Sequence, residues 1–310
     1  MKAQAFGIVG PTACGKTAVS IAVALRTGAE IISADSVQVY RGLDIGSAKP
    51  GPAERRGVPH HMIDCVDIDE PGFSVAAFRD AALQAARDIL SRGKTPIIVG
   101  GSGLYVDALT RPLRFAVPAD PAIRRRYEEA YERDREAVFA ELIRTDPATA
   151  KRLHPNDKKR VARALEVQAC GGRPLSDYGG GFQEPGGQEA PPLGPVRLFG
   201  LHMPREALYA RIGQRVDQML AAGLESEARA IWERGYDPAL PAMQSIGYKQ
   251  LFACFAGACG RAEAVERIKM DTRRFAKRQE TWFKRNKNII WMDAEEPEEA
   301  VRRILEEMRA

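Results

Sequence analysis

Apolar residues are grouped along the chain in two ways, as short continuous runs and as longer segments with helical spacing. The short runs have the length of buried strands and lie at residues 5–9, 30–34, 95–99 and 196–201. Segments 18–26 and 74–91 separate them and carry apolar residues at a helical period, which predicts amphipathic helices. Ser74 is the expected N-cap of the second helix. The alternation of strand and helix predicts an α/β fold with a parallel sheet flanked by helices.

The pattern changes between residues 118 and 195. Charged residues at helical spacing fill 118–177, and three motifs mark helix starts: Asp120-Pro121, Asp146-Pro147 and His154-Pro155-Asn156-Asp157. The following stretch, 179–195, has six glycines and four prolines and predicts a flexible loop. We therefore predict a P-loop-type α/β core, residues 1–117 and 196–310, interrupted by a helical insertion domain and loop at 118–195.

The C-terminal part of the core is predicted to be largely helical. Helices are expected at 205–222, 225–234, 245–255 and 261–286, then a strand at 289–292 and an acidic closing helix.

One segment after the first strand matches the phosphate-loop pattern G-x-x-x-x-G-K-[ST] at every fixed position. It consists of Gly10, Pro11, Thr12, Ala13, Cys14, Gly15, Lys16 and Thr17. The backbone N–H groups of such a loop, the following helix N-terminus and the lysine bind phosphate oxygens, and the hydroxyl of Thr17 can bind Mg²⁺. The loop predicts a di- or triphosphate ligand, although a purely structural glycine-rich turn is the alternative.

Polar residues follow other predicted strands. Asp35 comes directly after the strand at 30–34, which puts it near the phosphate loop, either as a metal-shell residue or general base or as a turn residue. Ser102 follows the strand at 95–99 and could bind substrate or cap the next helix. This strand ends in Gly100-Gly101 and lacks the acidic residue that phosphate-loop hydrolases use there. His60 and His61 have no third ligand at fixed spacing and are interpreted as polar strand-edge residues.

Composition limits the classes of protein to consider. Five scattered cysteines indicate neither a disulfide framework nor a zinc site, and the start of the chain lacks the apolar region of a signal peptide. No segment has the length of a membrane span. We expect a cytoplasmic protein without membrane contact, and a monomer.

The net charge of +5 hides a strong local asymmetry. Residues 261–287 contain ten Lys or Arg and four acidic residues, whereas 293–310 contain three and seven. Basic residues recur at helical steps in Arg274, Lys277 and Arg278, which suits nucleic-acid phosphate; a solvated charged face is the alternative. Further basic positions, including Arg124 and Arg160, occur in the insertion and favour a folded RNA.

Taken together, these motifs resemble the tRNA dimethylallyltransferases (tRNA isopentenyltransferases) over almost the whole chain. The matching blocks are the phosphate loop, 35–40, 46–50, 59–64, 99–105, 154–157 with Arg160 and 163–167, 245–248, and 276–279 before Thr281-Trp282-Phe283.

The resemblance implies a reaction and a set of roles. The family moves the dimethylallyl group of dimethylallyl diphosphate to N6 of the adenine 3′-adjacent to the anticodon of tRNA, releasing diphosphate with Mg²⁺ present. It implies that Asp35 is the general base, that Thr12 contacts substrate and that Arg215 supports the diphosphate. The implied contacts with the tRNA anticodon stem-loop are Asp35, Ser36, Val37, Gln38, Ser102, Arg124, Arg160, Val161, Ala162, Arg163, Gln244, Ser245, Ile246, Gly247, Tyr248, Arg274, Lys277 and Arg278.

This chain departs from the family pattern at Cys14, where serine is common, and at Ser47 and Ser102, where threonine is common. A thiol at Cys14, close to a helix N-terminus and Lys16, is expected to be sensitive to oxidants. Three other functions remain open at this point: an adenylate isopentenyltransferase, a small-molecule kinase or phosphate-loop ATPase, and a non-catalytic RNA-binding module.

Overall fold

The computed structural model of the chain describes residues 5–70, 73–178 and 191–309. The start of the chain and most of the predicted flexible loop, residues 179–190, lie outside this range. The described residues divide into two compact units: one contains the residues up to Thr110 and from Pro192 onward, and the other is Arg111–Pro191. The predicted divisions, after residues 117 and 195, differ from these positions.

The first unit is built on a parallel sheet, as predicted. Its strands are β1 (Ala5–Val9), β2 (Glu30–Ser33), β3 (His60–His61), β4 (Pro96–Gly100), β5 (Val196–His202) and β6 (Ile290–Asp293). Their order is β3-β2-β4-β1-β5-β6, and every neighbouring pair is parallel. Because all these strands run in the same direction, their carboxyl ends meet at one edge of the sheet, where open α/β sheets bind ligands.

The helices follow in chain order. They are α1 (Lys16–Thr27), α2 (Pro52–Arg55), α3 (Val75–Ser91), α4 (Gly103–Thr110), α5 (Pro121–Arg133), α6 (Arg135–Thr145), α7 (Pro147–Ala150), α8 (Lys158–Gly171), α9 (Arg205–Ala221), α10 (Leu224–Glu233), α11 (Tyr248–Phe255), α12 (Arg261–Phe283) and α13 (Pro297–Arg309), with a 3₁₀ turn at Leu175–Tyr178. None of the helices in the described ranges has both the length and the apolar character of a membrane span.

Apolar side chains cover both faces of the sheet, which explains the continuous apolar runs in its strands. Ile31 pairs with Ile97 in register, and both belong to the core layer beneath α1 and α13. The next pair, Ile32 and Ile98, faces the opposite layer, which contains Phe78 of α3. Successive residues of one strand are thus buried on opposite faces.

The predicted helix starts agree with the observed caps. Ser74 Oγ accepts a hydrogen bond from the Ala77 amide, and Asp120 and Asp146 accept amide hydrogen bonds at the starts of α5 and α7. The helix predicted at 245–255 begins instead at Tyr248. Gly247 has φ 100°, which lies outside the right-handed helical region and prevents an earlier start.

The second unit is a small helical assembly. Helices α5, α6, α7 and α8 enclose their own apolar core, which includes Tyr127, Tyr131, Leu142 and Leu165. These four residues recur on the inner faces of three helices, so the unit has a core of its own.

Candidate functional site

The phosphate loop joins β1 to α1 in the conformation that its sequence predicts. Gly10 has φ 148° and Gly15 has φ 92°, both in the region that favours glycine. A Cβ atom on Gly10 would lie 2.5 Å from the carbonyl oxygen of Leu201, so a larger residue does not fit. The loop therefore passes close to the end of β5 and turns its backbone toward the N-terminus of α1.

The loop forms one wall of a cavity of about 490 Å³ in the first unit. The cavity is lined by Thr12, Ala13, Gly15, Lys16 and Thr17 from the loop, by Asp35, Gln38, Ser47, Ala48 and Lys49 from the region after β2, and by Arg211, Arg215, Phe275 and Gln279 from α9 and α12. Residues distant in sequence thus share one site, including the three predicted catalytic residues Thr12, Asp35 and Arg215.

Lys16 is held inside this cavity. Its Nζ atom donates a hydrogen bond of 2.6 Å to the carbonyl oxygen of Pro11. Removal from water lowers the pKa of Lys16; Cys14 and Asp35 raise it, and the Arg215 guanidinium lowers it. An anionic ligand would favour the charged ammonium, which is the property expected of a phosphate-binding lysine.

Cys14 is 1% exposed. Its Sγ atom lies 4.0 Å from Lys16 Nζ, within the apolar layer beneath α1. Burial restricts access of oxidants to a thiol, so the expected oxidant sensitivity finds no support in this arrangement.

Two arginines of α9 face the loop. Burial lowers the pKa of Arg215, and the neighbouring Asp35 opposes this shift. Arg211 stands one turn earlier, and its guanidinium lies 3.9 Å from the Cβ position of Gly15. Sequence reasoning missed Arg211, although its four-residue spacing from Arg215 places both on the same helical face. Together with Lys16 they supply three cations to one cavity.

Asp35 forms a turn after β2 and also lines the cavity. Its Oδ1 atom accepts hydrogen bonds from the amides of Val37 at 2.8 Å and Gln38 at 3.3 Å, which form a turn after β2. The same carboxylate lines the cavity beside Lys16 and Arg215. The turn fixes the position of the Asp35 carboxylate, and Lys16 and Arg215 attract it electrostatically on the wall of the cavity.

Ser102, which follows the neighbouring strand β4, forms a hydrogen bond with the turn that contains Asp35. Its hydroxyl accepts a hydrogen bond from the Ser36 amide at 3.0 Å and lies 3.2 Å from the Ser36 hydroxyl. This contact explains the side chain better than the capping alternative, because its bond goes to Ser36 rather than to an amide of α4.

The missing acidic residue after β4 has a steric explanation. A Cβ atom on Gly100 would lie 2.1 Å from the carbonyl oxygen of Ala34, and one on Gly101 would lie 2.1 Å from Nε2 of Gln279. A side chain does not fit at Gly100, where the clash is with backbone, whereas at Gly101 the space is filled by the end of the Gln279 side chain. The last residue of β4 therefore cannot carry a carboxylate.

The segment 44–50 closes another side of the cavity and is held by Glu227 of α10. The Glu227 carboxylate accepts the amides of Asp44, Ile45 and Gly46 at 2.9 to 3.1 Å, and the Tyr248 hydroxyl at 2.7 Å. Gln38 Nε2 in turn lies 3.4 Å and 3.3 Å from the carbonyl oxygens of residues 47 and 48. Sequence reasoning missed Glu227, since nothing in its local pattern distinguishes it from other acidic residues on helices.

The histidine pair has structural contacts. His60 bonds to the Val58 carbonyl, and His61 Nε2 lies 2.8 Å from Glu30 Oε2. Among the described residues no group of three or more His, Cys, Asp or Glu side chains is arranged to hold a metal ion. A metal ion in the cavity beside the phosphate loop would therefore be held by oxygens of the bound ligand and by an individual protein group such as the Thr17 hydroxyl.

The basic residues of α12 divide by face, as the sequence predicts. On the outer face of α12, Arg274, Lys277, Arg278 and Thr281 are exposed, and so are Lys284 and Arg285 directly after the helix. The opposite face packs inward: Phe283 is 2% exposed, and Trp282 Nε1 donates a hydrogen bond to Asp107. The charged face is therefore open to a partner while the apolar face is anchored.

Several residues implied as tRNA contacts have buried side chains. Tyr248 is fully buried, because its ring packs against Gly46 and its hydroxyl bonds to Glu227. Ser245 is also buried, whereas Gln244 is exposed. In the second unit Val161 and Ala162 are fully buried in the helical core. In this conformation these four buried side chains are unavailable to RNA.

The three implied arginines of the second unit differ in their partners. Arg160 is 71% exposed and lies 3.4 Å from Asp157. Arg124 and Arg163 both pair with the fully buried Glu166, at 2.7 Å and 2.8 Å. The guanidinium groups of Arg124 and Arg163 are thus paired within the unit, whereas that of Arg160 is exposed to solvent.

The chain is similar in sequence to a family of known proteins. The family model described as IPP transferase matches residues 38–286. A tRNA dimethylallyltransferase of Desulforudis audaxviator is 50% identical over 93% of this chain and 91% of its own length. That of Pelotomaculum thermopropionicum is 46% identical over 93% and 90%.

The fold of the chain is also similar to that of solved structures. The tRNA isopentenylpyrophosphate transferase of Bacillus halodurans has a TM-score of 0.71 and 38% identity, over 99% of this chain and 97% of that chain. A eukaryotic dimethylallyltransferase, described as acting on tRNA, has a TM-score of 0.77 and 29% identity, over 94% and 74%. The chain belongs to the tRNA dimethylallyltransferase (IPP transferase) family.

Proposed function

We propose that this protein transfers the dimethylallyl group of dimethylallyl diphosphate to N6 of the adenine 3′-adjacent to the anticodon of tRNA and releases diphosphate. The observation that carries the proposal is the meeting of a phosphate loop, a carboxylate and several cations in one cavity, at a strand end that has Gly100 and Gly101 in place of a hydrolytic carboxylate. The names of the relatives agree with this reaction. In such a reaction the loop binds the diphosphate leaving group, and no water molecule has to be activated for attack.

In this reaction the allylic carbon–oxygen bond breaks and a carbon–nitrogen bond to N6 forms. The loop amides, Lys16 and Arg215 stabilise the negative charge that develops on the departing diphosphate. Asp35 accepts the proton that N6 loses, and its turn with Val37 and Gln38 fixes the orientation of its carboxylate. Thr12 also lines the cavity, and we propose that it contacts the substrate.

Mg²⁺ is the proposed cofactor. The Thr17 hydroxyl and the diphosphate oxygens would hold it, which agrees with the small number of protein ligands that Mg²⁺ commonly takes in phosphate sites. When bound, the ion supplies charge neutralisation to the leaving group.

The acceptor is proposed to be the anticodon stem-loop of tRNA, bound in part by the basic outer face of α12. Arg274, Lys277 and Arg278 lie on that face, and Arg160 offers a further exposed charge in the second unit. The adenine must leave its stack to reach the cavity, as in other base-modifying enzymes. The protein is proposed to act in the cytoplasm, where tRNA is found, and as a monomer, since its exposed large apolar residues are spread over several helices.

The deciding experiment incubates the protein with unmodified tRNA, Mg²⁺ and dimethylallyl diphosphate and analyses the anticodon-loop nucleosides by mass spectrometry. We expect a mass increase of one dimethylallyl group on the adenosine that follows the anticodon. Parallel reactions replace tRNA with AMP, or dimethylallyl diphosphate with ATP. Prenylated AMP alone would identify a free-nucleotide prenyltransferase, γ-phosphate transfer a kinase, and tRNA binding without diphosphate release a non-catalytic module.

A further inference from the structure

Gln279 joins the basic helix α12 to the phosphate loop. It lies on α12 with 5% of its surface exposed, between the Lys277–Arg278 pair and the buried Phe283. Its Oε1 atom accepts a hydrogen bond of 2.8 Å from the Thr12 amide, and its Nε2 atom donates one of 3.0 Å to the Gly101 carbonyl. One side chain thus connects two loops at the carboxyl edge of the sheet.

The two backbone partners require a side chain that both donates and accepts a hydrogen bond. The Thr12 amide can only donate and the Gly101 carbonyl can only accept, so the side chain must do both. An ionised glutamate of the same length only accepts, and lysine or methionine cannot satisfy both partners. Glutamine meets the demand in a single orientation. Gly101 leaves the space for it, because a Cβ atom there would lie 2.1 Å from Gln279 Nε2.

The bond to Thr12 also affects the loop as a ligand site. The Thr12 amide is occupied by Gln279, and the Pro11 carbonyl accepts the Lys16 ammonium. Both sides of the peptide between Pro11 and Thr12 are therefore fixed before any ligand enters. A loop that is fixed in advance loses less conformational freedom when it binds phosphate oxygens.

We infer that Gln279 is a positioning residue, which holds the Pro11–Thr12 peptide against Gly101 and so preorganises the phosphate loop for diphosphate. The inference rests on the proposed function of the loop as a diphosphate site. It also gives α12 a second role, because the helix that presents basic residues to solvent anchors the loop from its inner face.

The test measures binding of inorganic diphosphate with Mg²⁺ by calorimetry. Gln279→Met keeps the approximate size of the side chain and removes both hydrogen bonds without adding charge. Because unsatisfied buried groups destabilise the ordered loop, we expect binding to weaken about tenfold. Gln250→Met is the matched control: Gln250 is also 5% exposed and bonds to the Gly247 amide and to Asp271, away from the cavity. The control should lose stability and bind diphosphate like the wild type.

A second variant separates positioning from simple packing. Gln279→Glu cannot donate to Gly101 when ionised but can when protonated. Relative to the wild type at the same pH, its binding should recover as the pH falls from about 8 to about 4.5, since burial raises the pKa of a carboxyl while the cations Lys16, Arg211 and Arg215 of the same cavity lower it. Gln279→Met should show no such recovery.

The outcomes are distinct. Wild-type affinity in Gln279→Met would overturn the inference, as would a Gln279→Glu variant that binds no better than Gln279→Met at the lower pH. If the wild-type protein itself fails to bind diphosphate, the proposed function fails instead. Thermal unfolding of each variant verifies that the measured protein is folded.

Discussion

Strand β2 has an acidic residue near each of its ends, and the two have opposite surroundings. Glu30 begins the strand and is 2% exposed; it pairs with Arg92, with Lys94 at 2.8 Å and with His61 at 2.8 Å. Asp35 follows the other end, uses Oδ1 for a turn and lines the cavity.

The contrast shows how neighbouring partners separate a carboxylate that is enclosed by cations from one that lines a cavity. Hydrogen bonds from Arg92 hold the pKa of Glu30 well below its usual range, and Lys94 and His61 act in the same direction against the effect of burial. Such a group stays ionised, and its oxygens are occupied by the cations that surround it. Asp35 lies instead among cations that also face the cavity, where a substrate can reach it.

The largest expected effect is on turnover at Asp35. Asp35→Asn keeps the Oδ1 acceptor for Val37 and Gln38 but removes the base, so prenylation of tRNA should fall by about 10² to 10⁴. Single-turnover assays measure the loss, and filter binding verifies that tRNA affinity is retained. Asp67→Asn, at an exposed residue paired with Arg41, is the control. Normal turnover in Asp35→Asn would refute the base assignment and remove the contrast with Glu30.

The next effect is on stability at Glu30. Glu30→Gln should lower the free energy of unfolding by about 2 kcal/mol, less than for a fully buried pair because the cationic partners are partly exposed. Urea denaturation measures this change, with Glu298→Gln on the surface as control. Turnover per folded molecule should remain at the wild-type level. A variant that keeps its stability but loses turnover would assign a chemical role to Glu30.

Acid should weaken the same contact. Because the pKa of Glu30 is lowered in the folded state, its stabilising contribution is complete above the ordinary carboxyl range and is lost as pH falls from about 5 downward. Urea denaturation at several pH values should show a shallower acid loss for Glu30→Gln than for the wild type. Parallel curves for the two proteins would contradict the assignment.

The smallest effect isolates the turn at Asp35. Asp35→Ala removes the acceptor that Asp35→Asn keeps, so the alanine variant should be less stable than the asparagine variant by about 1 kcal/mol. Both variants should be similarly inactive. Equal stability would indicate that the turn does not depend on the Oδ1 hydrogen bonds.

Local sequence was sufficient for much of this molecule. The order of strand, phosphate loop and helix, the caps at Ser74, Asp120 and Asp146, and the two faces of α12 follow from patterns within a few residues. Glu166 shows the limit of such patterns. Its position three residues after Arg163 is a visible signal for a pair, but its burial and its second partner Arg124 depend on how α5 packs on α8.

The phosphate loop illustrates both sources of information. Its glycines and lysine predict a phosphate site from sequence, because the backbone conformation and the charge are properties of adjacent residues. The hydrogen bond from Thr12 to Gln279 joins residues 267 positions apart, and the cavity exists because α9 and α12 return to the sheet edge. Packing places Asp35 at the cavity, pairs Arg124 with Glu166 and brings Gln279 to the Thr12 amide. Long-range contacts of this kind leave no periodic signal along the chain, so only the folded arrangement reveals them.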